Sequence, residues 1–141
     1  MLEAILHWLT EYRSVIHLVL HVLVPALVAI ILTQSRLFQG FAGGWVSWKS
    51  VFVILMLTMA VDIDHIVADP IYSPGRCSIW FHPFHTLWPI IGYVCMTLWP
   101  VVLKIRSVEM TRKDRIIGGL GLGLVIHMIL DWTDCLWMKA C

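Results

Sequence analysis

The chain has 141 residues, of which 60% are hydrophobic and 13% are charged, and its mean hydropathy is +0.84. An ordinary soluble domain is about 45–50% apolar and about 25% charged, so this composition excludes a water-soluble fold of this size and favours a membrane protein. A formal net charge of +1, without a basic arm, excludes nucleic acid as a partner.

Four apolar segments along the chain are long enough to cross a bilayer, which takes about 17–25 residues. They cover approximately residues 14–33, 45–61, 87–103 and 116–131. The stretches between them contain the glycine, proline or charged residues that end a membrane helix. The sequence therefore predicts an all-α fold, in which residues 1–141 form one integral membrane bundle of four transmembrane helices.

Lysine and arginine are distributed unevenly between the two sides of this bundle. Seven of the ten lie in or beside the loops that follow the first and third spans: Arg36, Lys49, Lys104, Arg106, Arg112, Lys113 and Arg115. Because positive residues favour the cytoplasmic side, these two loops are predicted to be cytoplasmic. We therefore expect an integral protein of a bacterial inner membrane, with both termini and the loop between the second and third spans on the outer side.

Six histidines and three aspartates occur at corresponding ends of the four spans. They are His17 and His21 in the first span, Asp62, Asp64 and His65 after the second, His82 and His85 before the third, and His127 and Asp131 in the fourth. Ionisable residues in membrane spans are costly and usually functional. Because successive helices of an antiparallel bundle run in opposite directions, all nine side chains are predicted to meet at one end.

Imidazole nitrogens and carboxylate oxygens are ligands of zinc and related divalent ions. Nine candidates exceed the three or four ligands of one catalytic zinc. Either two metals about 3.5–4 Å apart share the site, or some of the nine orient the ligands or transfer protons. The predicted cofactor is therefore one or two divalent ions, with zinc preferred. Interhelical hydrogen bonding is the alternative for any one of these groups taken alone.

Three stretches, HLVLHVLVP, DIDHIVADPIYSPGRCSIWFHPFH and HMILD, resemble a small bacterial family of uncharacterised integral membrane proteins. The pattern is also similar to the YdjM-type predicted membrane-bound metal-dependent hydrolases. Their third-span segment usually reads H-R-G-x-T-H-S, whereas this chain has H-P-F-H-T, which leaves open whether His82 or His85 is the ligand. The resemblance implies metal-ligand or catalytic roles for His17, Asp62, Asp64, His85, His127 and Asp131.

These features predict a hydrolase that acts on a lipid or a lipid-linked ester, foremost a phosphoester, at the outer membrane face. Its partner is membrane lipid. Asp62 or Asp64 is expected to deprotonate the attacking water, and Arg76 is expected to bind the substrate phosphate through charge-assisted hydrogen bonds. Cys77 and Cys135 fall on the outer side, where a disulfide between them is possible.

Two other classes of protein share part of this pattern. A metal-ion transporter would need polar groups along the whole path through the membrane, yet the middle and inner parts of the spans are nearly free of ionisable residues. A metal-binding structural or partner subunit would need only saturated ligands, with no open coordination position. Transport therefore ranks below hydrolysis, and an open metal position is what separates the hydrolase from the structural subunit.

Overall fold

The structure is a computed structural model that describes residues 11–34, 47–67 and 77–140. Within these ranges the α-helices are α1 (Arg13–Gln34), α2 (Trp48–Leu57), α3 (Leu87–Ile105) and α4 (Arg112–Ala140). Two 3₁₀ helices join them, a long 3₁₀ helix over Thr58–Val67 and a short 3₁₀ helix over Pro83–His85. None of the described residues forms a strand, so the prediction of an all-α fold is confirmed.

Three of the helices are long and apolar enough to cross a membrane, and they indicate a membrane protein. They are Arg13–Gln34, Leu87–Ile105 and Arg112–Trp137, which correspond to the first, third and fourth predicted spans. Large apolar side chains on their outer surfaces are exposed, among them Leu18 and Leu98. Hydrocarbon solvates such a surface, and helices satisfy their own backbone hydrogen bonds there.

The second predicted span, residues 45–61, corrects the prediction of four transmembrane helices to three within the described residues. Its α-helix α2 has only ten residues, about half of the length that crosses the hydrocarbon layer. After Leu57 the chain tightens into the long 3₁₀ helix, and the start of the predicted span before Ser47 lies outside the described residues. Apolar composition does not distinguish these two helix types, so a single continuous span was the wrong prediction.

Helix α4 contacts α1, α2, α3 and the long 3₁₀ helix, and therefore organises the bundle. Glycines on α4 allow the close approach of its neighbours. A Cβ atom added at Gly118 would overlap the ring of Pro100, and one added at Gly123 would lie 2.7 Å from Cγ2 of Thr58. The neighbouring segments therefore pack closely against the backbone of α4 at these glycines, as small residues permit in membrane helices.

The predicted outer end of the bundle carries a covalent link as well. Cys77 and Cys135 form a disulfide with their Cα atoms 5.1 Å apart. It joins the segment that precedes α3 to the last turns of α4. The segment that carries His82 and His85 is thereby fastened to the helix that carries His127 and Asp131.

Candidate metal centre

The long 3₁₀ helix sets the directions of its two aspartates. A 3₁₀ helix turns about 120° per residue, so every third side chain shares a face. Thr58, Val61 and Asp64 form the buried face, while Asp62 and His65 lie on a half-buried face beside it. The two carboxylates diverge by about 120° here, whereas an α-helix would separate them by about 160°. Both therefore reach the same cluster from one short segment.

Asp131 of α4 lies at the middle of the cluster, and its two carboxylate oxygens face different pairs of histidines. Oδ1 lies 3.3 Å from Nε2 of His17 and 3.4 Å from Nε2 of His21. Oδ2 lies 3.0 Å from Nε2 of His85 and 3.5 Å from Nε2 of His127. The Asp131 side chain is only 5% exposed. One oxygen directed toward each pair is the arrangement of a carboxylate that bridges two metal ions.

Asp62, His85, His127 and Asp131 form a four-ligand group. Oδ1 of Asp62 lies 3.0 Å from Nε2 of His127 and 3.6 Å from Nε2 of His85. With the distances to Asp131, the separations between imidazole nitrogens and carboxylate oxygens run from 3.0 to 3.6 Å. Atoms about 2.0–2.1 Å from a tetrahedral zinc are about 3.3–3.4 Å apart. The four nitrogen–oxygen separations are compatible with such a shell, and all four ligand atoms lie within 4.8 Å of one another.

His17, His21 and Asp131 form a three-ligand group that shares Asp131 with the first. Nδ1 of His21 lies 3.0 Å from the backbone carbonyl oxygen of His17 and donates to it. That hydrogen bond leaves the Nε2 lone pair of His21 directed toward Asp131, as outer hydrogen bonds do for zinc-bound histidines. Three protein ligands leave one tetrahedral position open, which is the pattern of catalytic zinc sites.

Asp64 lies behind His85 and orients it. Oδ2 of Asp64 accepts hydrogen bonds from the backbone N–H of Phe84 at 2.8 Å and from Nδ1 of His85 at 3.2 Å. Because Asp64 engages Nδ1, Nε2 is the nitrogen of His85 that faces Asp62 and Asp131. The backbone of His85 is also fixed, because its carbonyl accepts from the amide of Trp80 at 3.1 Å. His85 rather than His82 therefore has the position of a ligand to the four-ligand group.

His65 and His82 lie farther out, and with Asp64 they form a third group that could hold a metal. Nδ1 of His65 donates to Oδ1 of Asp64 at 3.2 Å, and the Ser78 hydroxyl donates to Nε2 of His65 at 3.3 Å. The ring of His82 stacks on that of His65 with centroids 3.7 Å apart. Because hydrogen bonds occupy both nitrogens of His65, this layer supports Asp64 better than it would bind an ion.

Several buried polar atoms of the centre have no hydrogen-bond partner among the described residues. They are Nε2 of His21, Nε2 of His85, Nδ1 of His127 and Oδ2 of Asp131. The His85 and Asp131 atoms lie 3.0 Å apart, yet their directions do not make a hydrogen bond. Buried polar atoms without partners are rare and need an explanation. The unpartnered atoms of His21, His85 and Asp131 belong to residues of the two groups that could hold a metal, so a cation would account for them.

The pKa values of His85 and Asp62, which lie outside the three membrane-spanning helices, agree with this interpretation. Burial lowers the pKa of His85, but contacts with Asp131, Asp62 and Asp64 outweigh burial and raise it to about 10. Burial raises the pKa of Asp62, but hydrogen bonds from His127 and His85 outweigh it and hold the pKa below its ordinary value. Without a metal, the His85 side chain therefore carries a second proton among ionised carboxylates, and a divalent cation would take the place of that proton.

All nine predicted ligands fall within the three groups, whereas Arg76, the predicted substrate-binding residue, lies outside the described residues. Sequence reasoning missed an ion pair beside the centre, in which Nε of Arg13 lies 3.3 Å from Oδ1 of Asp134. A signal was present in the spacing. Arg13 precedes His17 by four residues and Asp134 follows Asp131 by three, so each shares a helical face with a ligand.

Neither the curated proteins nor the solved structures contain a match to this chain. The model of one protein family, described as a family of unknown function, matches residues 11–138. This range includes all nine residues of the centre, but the match brings no activity with it, and the resemblance to the YdjM-type hydrolases stays a prediction. The chain belongs to that family, DUF6122.

Proposed function

We propose that the protein is a membrane-bound, metal-dependent hydrolase that cleaves a lipid or lipid-linked ester, foremost a phosphoester, with the help of two divalent ions. The observation that carries this proposal is the position of Asp131, whose Oδ1 faces the histidines of α1 while Oδ2 faces His85 and His127. Zinc suits the site because the donors are imidazole nitrogens and carboxylate oxygens at tetrahedral spacing.

The two ligand groups differ in a way that favours catalysis over a purely structural role. The four-ligand group would supply four protein ligands to a tetrahedral ion, whereas the three-ligand group would leave a position for water or substrate. A divalent ion, when bound, supplies a water nucleophile at neutral pH and polarises the phosphoryl or carbonyl oxygen of an ester. His17, 30% exposed, lies on the accessible side of the three-ligand group.

Of the two predicted general bases, Asp62 has the accessible oxygen, because its contacts with the histidines of the four-ligand group are made by Oδ1 alone. The side chain of Asp62 is 37% exposed, and its Oδ1 faces His85 and His127, which leaves Oδ2 to accept a proton. The side chain of Asp64 is 2% exposed and already accepts hydrogen bonds at both oxygens. In the proposed reaction Asp62 takes a proton from water as the water oxygen bonds to phosphorus or carbon. The ester bond breaks, and the alcohol leaves with the proton returned by Asp62.

Two observations support a lipid substrate at the outer face. The centre occupies one end of long apolar helices, where the head group of a lipid can reach it while the chains stay in hydrocarbon. The disulfide between Cys77 and Cys135 lies at that same end, and disulfides persist in oxidising compartments outside the cytoplasm. The basic residues concentrated near the opposite end agree with this orientation.

The test is to incubate the purified, zinc-loaded protein with mixed membrane lipids, with and without a chelator, and to follow each lipid class by mass spectrometry. We expect one class to be consumed only when zinc is present, and not by a His21→Ala variant. Asp114→Asn, at the far end of α4, serves as the matched control and should behave as the parent. If no class is consumed by a protein that retains zinc, the hydrolase proposal is wrong and the centre is a structural metal site.

A further inference from the structure

A cleft of about 220 Å³ lies between α1 and the last turns of α4. Its lining includes His17 of the three-ligand group and both members of the Arg13–Asp134 ion pair. A larger groove of about 390 Å³ between α3 and α4 is lined by apolar side chains and contains none of the nine residues of the centre. The smaller cleft therefore reaches the three-ligand group through His17.

The cleft has a polar end and an apolar wall. Arg13, 30% exposed, supplies the positive charge, and Ile16, Leu20 and Trp137 supply the apolar surface. On one helical face, residues four apart have Cβ atoms about 5–6 Å from one another, so Arg13 and His17 are adjacent on α1, and both line the cleft. A molecule in this cleft would meet a cation, a candidate metal ligand and hydrocarbon-like side chains at the same time.

We propose that the cleft binds the phosphate group of an amphiphilic substrate, with Arg13 as the anion-binding residue. The proposal rests on the proposed function, because it assigns the substrate class of the same centre. A guanidinium offers five N–H donors in a planar fork that matches phosphate oxygens, and the contact with Asp134 involves Nε. The apolar wall contacts the first carbons of the hydrocarbon that carries the phosphate.

Asp134 gives the proposal an opposite-signed test. Its carboxylate competes with phosphate for the guanidinium and repels the anion. Removal of the Arg13 charge should therefore weaken phosphate binding, whereas removal of the Asp134 charge should strengthen it. If the ion pair only fastened α1 to α4, both changes would act in the same direction, because each breaks the same contact.

The experiment measures the binding of two probes, inorganic phosphate and phosphatidic acid in phosphatidylcholine nanodiscs, to the purified full chain. Arg13→Gln should weaken binding of phosphatidic acid by about tenfold or more, the cost of losing a hydrogen bond to a charged group. Asp134→Asn should strengthen it severalfold. Arg106→Gln, an exposed charge at the other end of α3, is the matched control and should leave binding unchanged. The zinc content should equal that of the parent in all three variants.

Weaker binding in both Arg13→Gln and Asp134→Asn would overturn the proposal, as would no phosphate binding by the parent or an equal loss in Arg106→Gln. Equal affinity for the two probes would overturn the amphiphile and leave free phosphate as the ligand. Failure of the metal centre is measured separately. If the parent holds no zinc, the proposed function is refuted, whereas Arg13-dependent phosphate binding by that protein would still support the cleft.

Discussion

The two ends of α4 carry aspartates in opposite situations. Asp114, in the first turn, is exposed and accepts hydrogen bonds from Nε1 of Trp99 at 2.8 Å and from the backbone N–H of Thr111 at 2.9 Å. Asp131, near the other end, is buried among four imidazoles, and its Oδ2 has no hydrogen-bond partner among the described residues. Asp114 caps the start of α4, and hydrogen bonds engage both of its carboxylate oxygens. Asp131 keeps one carboxylate oxygen without a hydrogen bond, as a candidate metal ligand does.

The two ends of α4 also differ in the kind of residue that packs against them. Away from the centre, close contacts such as Gly118 against the ring of Pro100 bring the helices together, and none of the described residues classed as buried there is charged. At the centre the buried side chains are mostly histidine and aspartate, and no lysine or arginine in the described ranges pairs with Asp62, Asp64 or Asp131. The partners of these carboxylates are therefore imidazoles, which are also metal ligands. One end is packed by apolar and small residues, whereas the other carries a set of donors that could hold a cation.

The largest expected effect comes from Asp131→Ala. This change removes both bridging oxygens, so the three-ligand group is left with two histidines and the four-ligand group with three ligands. Zinc per chain, measured by elemental analysis of the purified protein, should fall from two ions to at most one. Asp114→Ala is the control on the same helix and should keep the full content. Full zinc in Asp131→Ala would show that the bridging arrangement is incidental.

Removal of the disulfide by Cys77→Ser with Cys135→Ser should have the next effect. The bridge closes a loop between residues 58 positions apart, and such a bridge contributes about 2–4 kcal/mol to the free energy of unfolding. We expect a lower melting temperature in detergent and earlier release of zinc on heating. Cys95→Ser, at an exposed unpaired cysteine, is the control. Equal melting of the two proteins would mean that the disulfide does not stabilise the centre.

A smaller loss is expected where the packed end meets the centre. A Cβ at position 123 would lie 2.9 Å from Oγ1 of Thr58 and 3.1 Å from Cα of Leu55, so Gly123→Ala pushes the start of the long 3₁₀ helix away from α4. Overpacking of this kind costs about 1–3 kcal/mol. Gly92→Ala, where a Cβ meets no atom within 4 Å, should cost nothing by chemical denaturation. A Gly123→Ala protein as stable as Gly92→Ala would show that this contact relaxes freely.

The convergence of histidines and aspartates at one end could be predicted from sequence, because it depends only on alternating helix directions and on i,i+4 spacings such as His17 with His21. The change from α2 to the long 3₁₀ helix could not, since both segments are apolar and composition carries no helix type. The i,i+2 spacing of Asp62 and Asp64 was the clue, because an α-helix sends two such side chains to nearly opposite faces. The division of Asp131 between two groups depends on side-chain orientation, which no spacing specifies.

The smallest effect is expected for Asp64, and it concerns the affinity for zinc. It tests the contrast between the two ends of α4 most closely. Asp64 accepts hydrogen bonds from the amide of Phe84 and from Nδ1 of His85, so its effect on an ion bound by the four-ligand group would pass through His85. Asp64→Asn keeps the shape and one acceptor oxygen but removes the charge. Loss of such an outer partner weakens metal affinity by about 10–100-fold, and competition against a chromogenic chelator would measure it.

Ser78→Ala is the matched control for Asp64→Asn, because it removes a hydroxyl one step farther out, at Nε2 of His65. It should change zinc affinity less than Asp64→Asn does. If Asp64→Asn instead loses as much zinc as Asp131→Ala, then Asp64 binds an ion itself. The group of Asp64, His65 and His82 would then be a metal site in its own right.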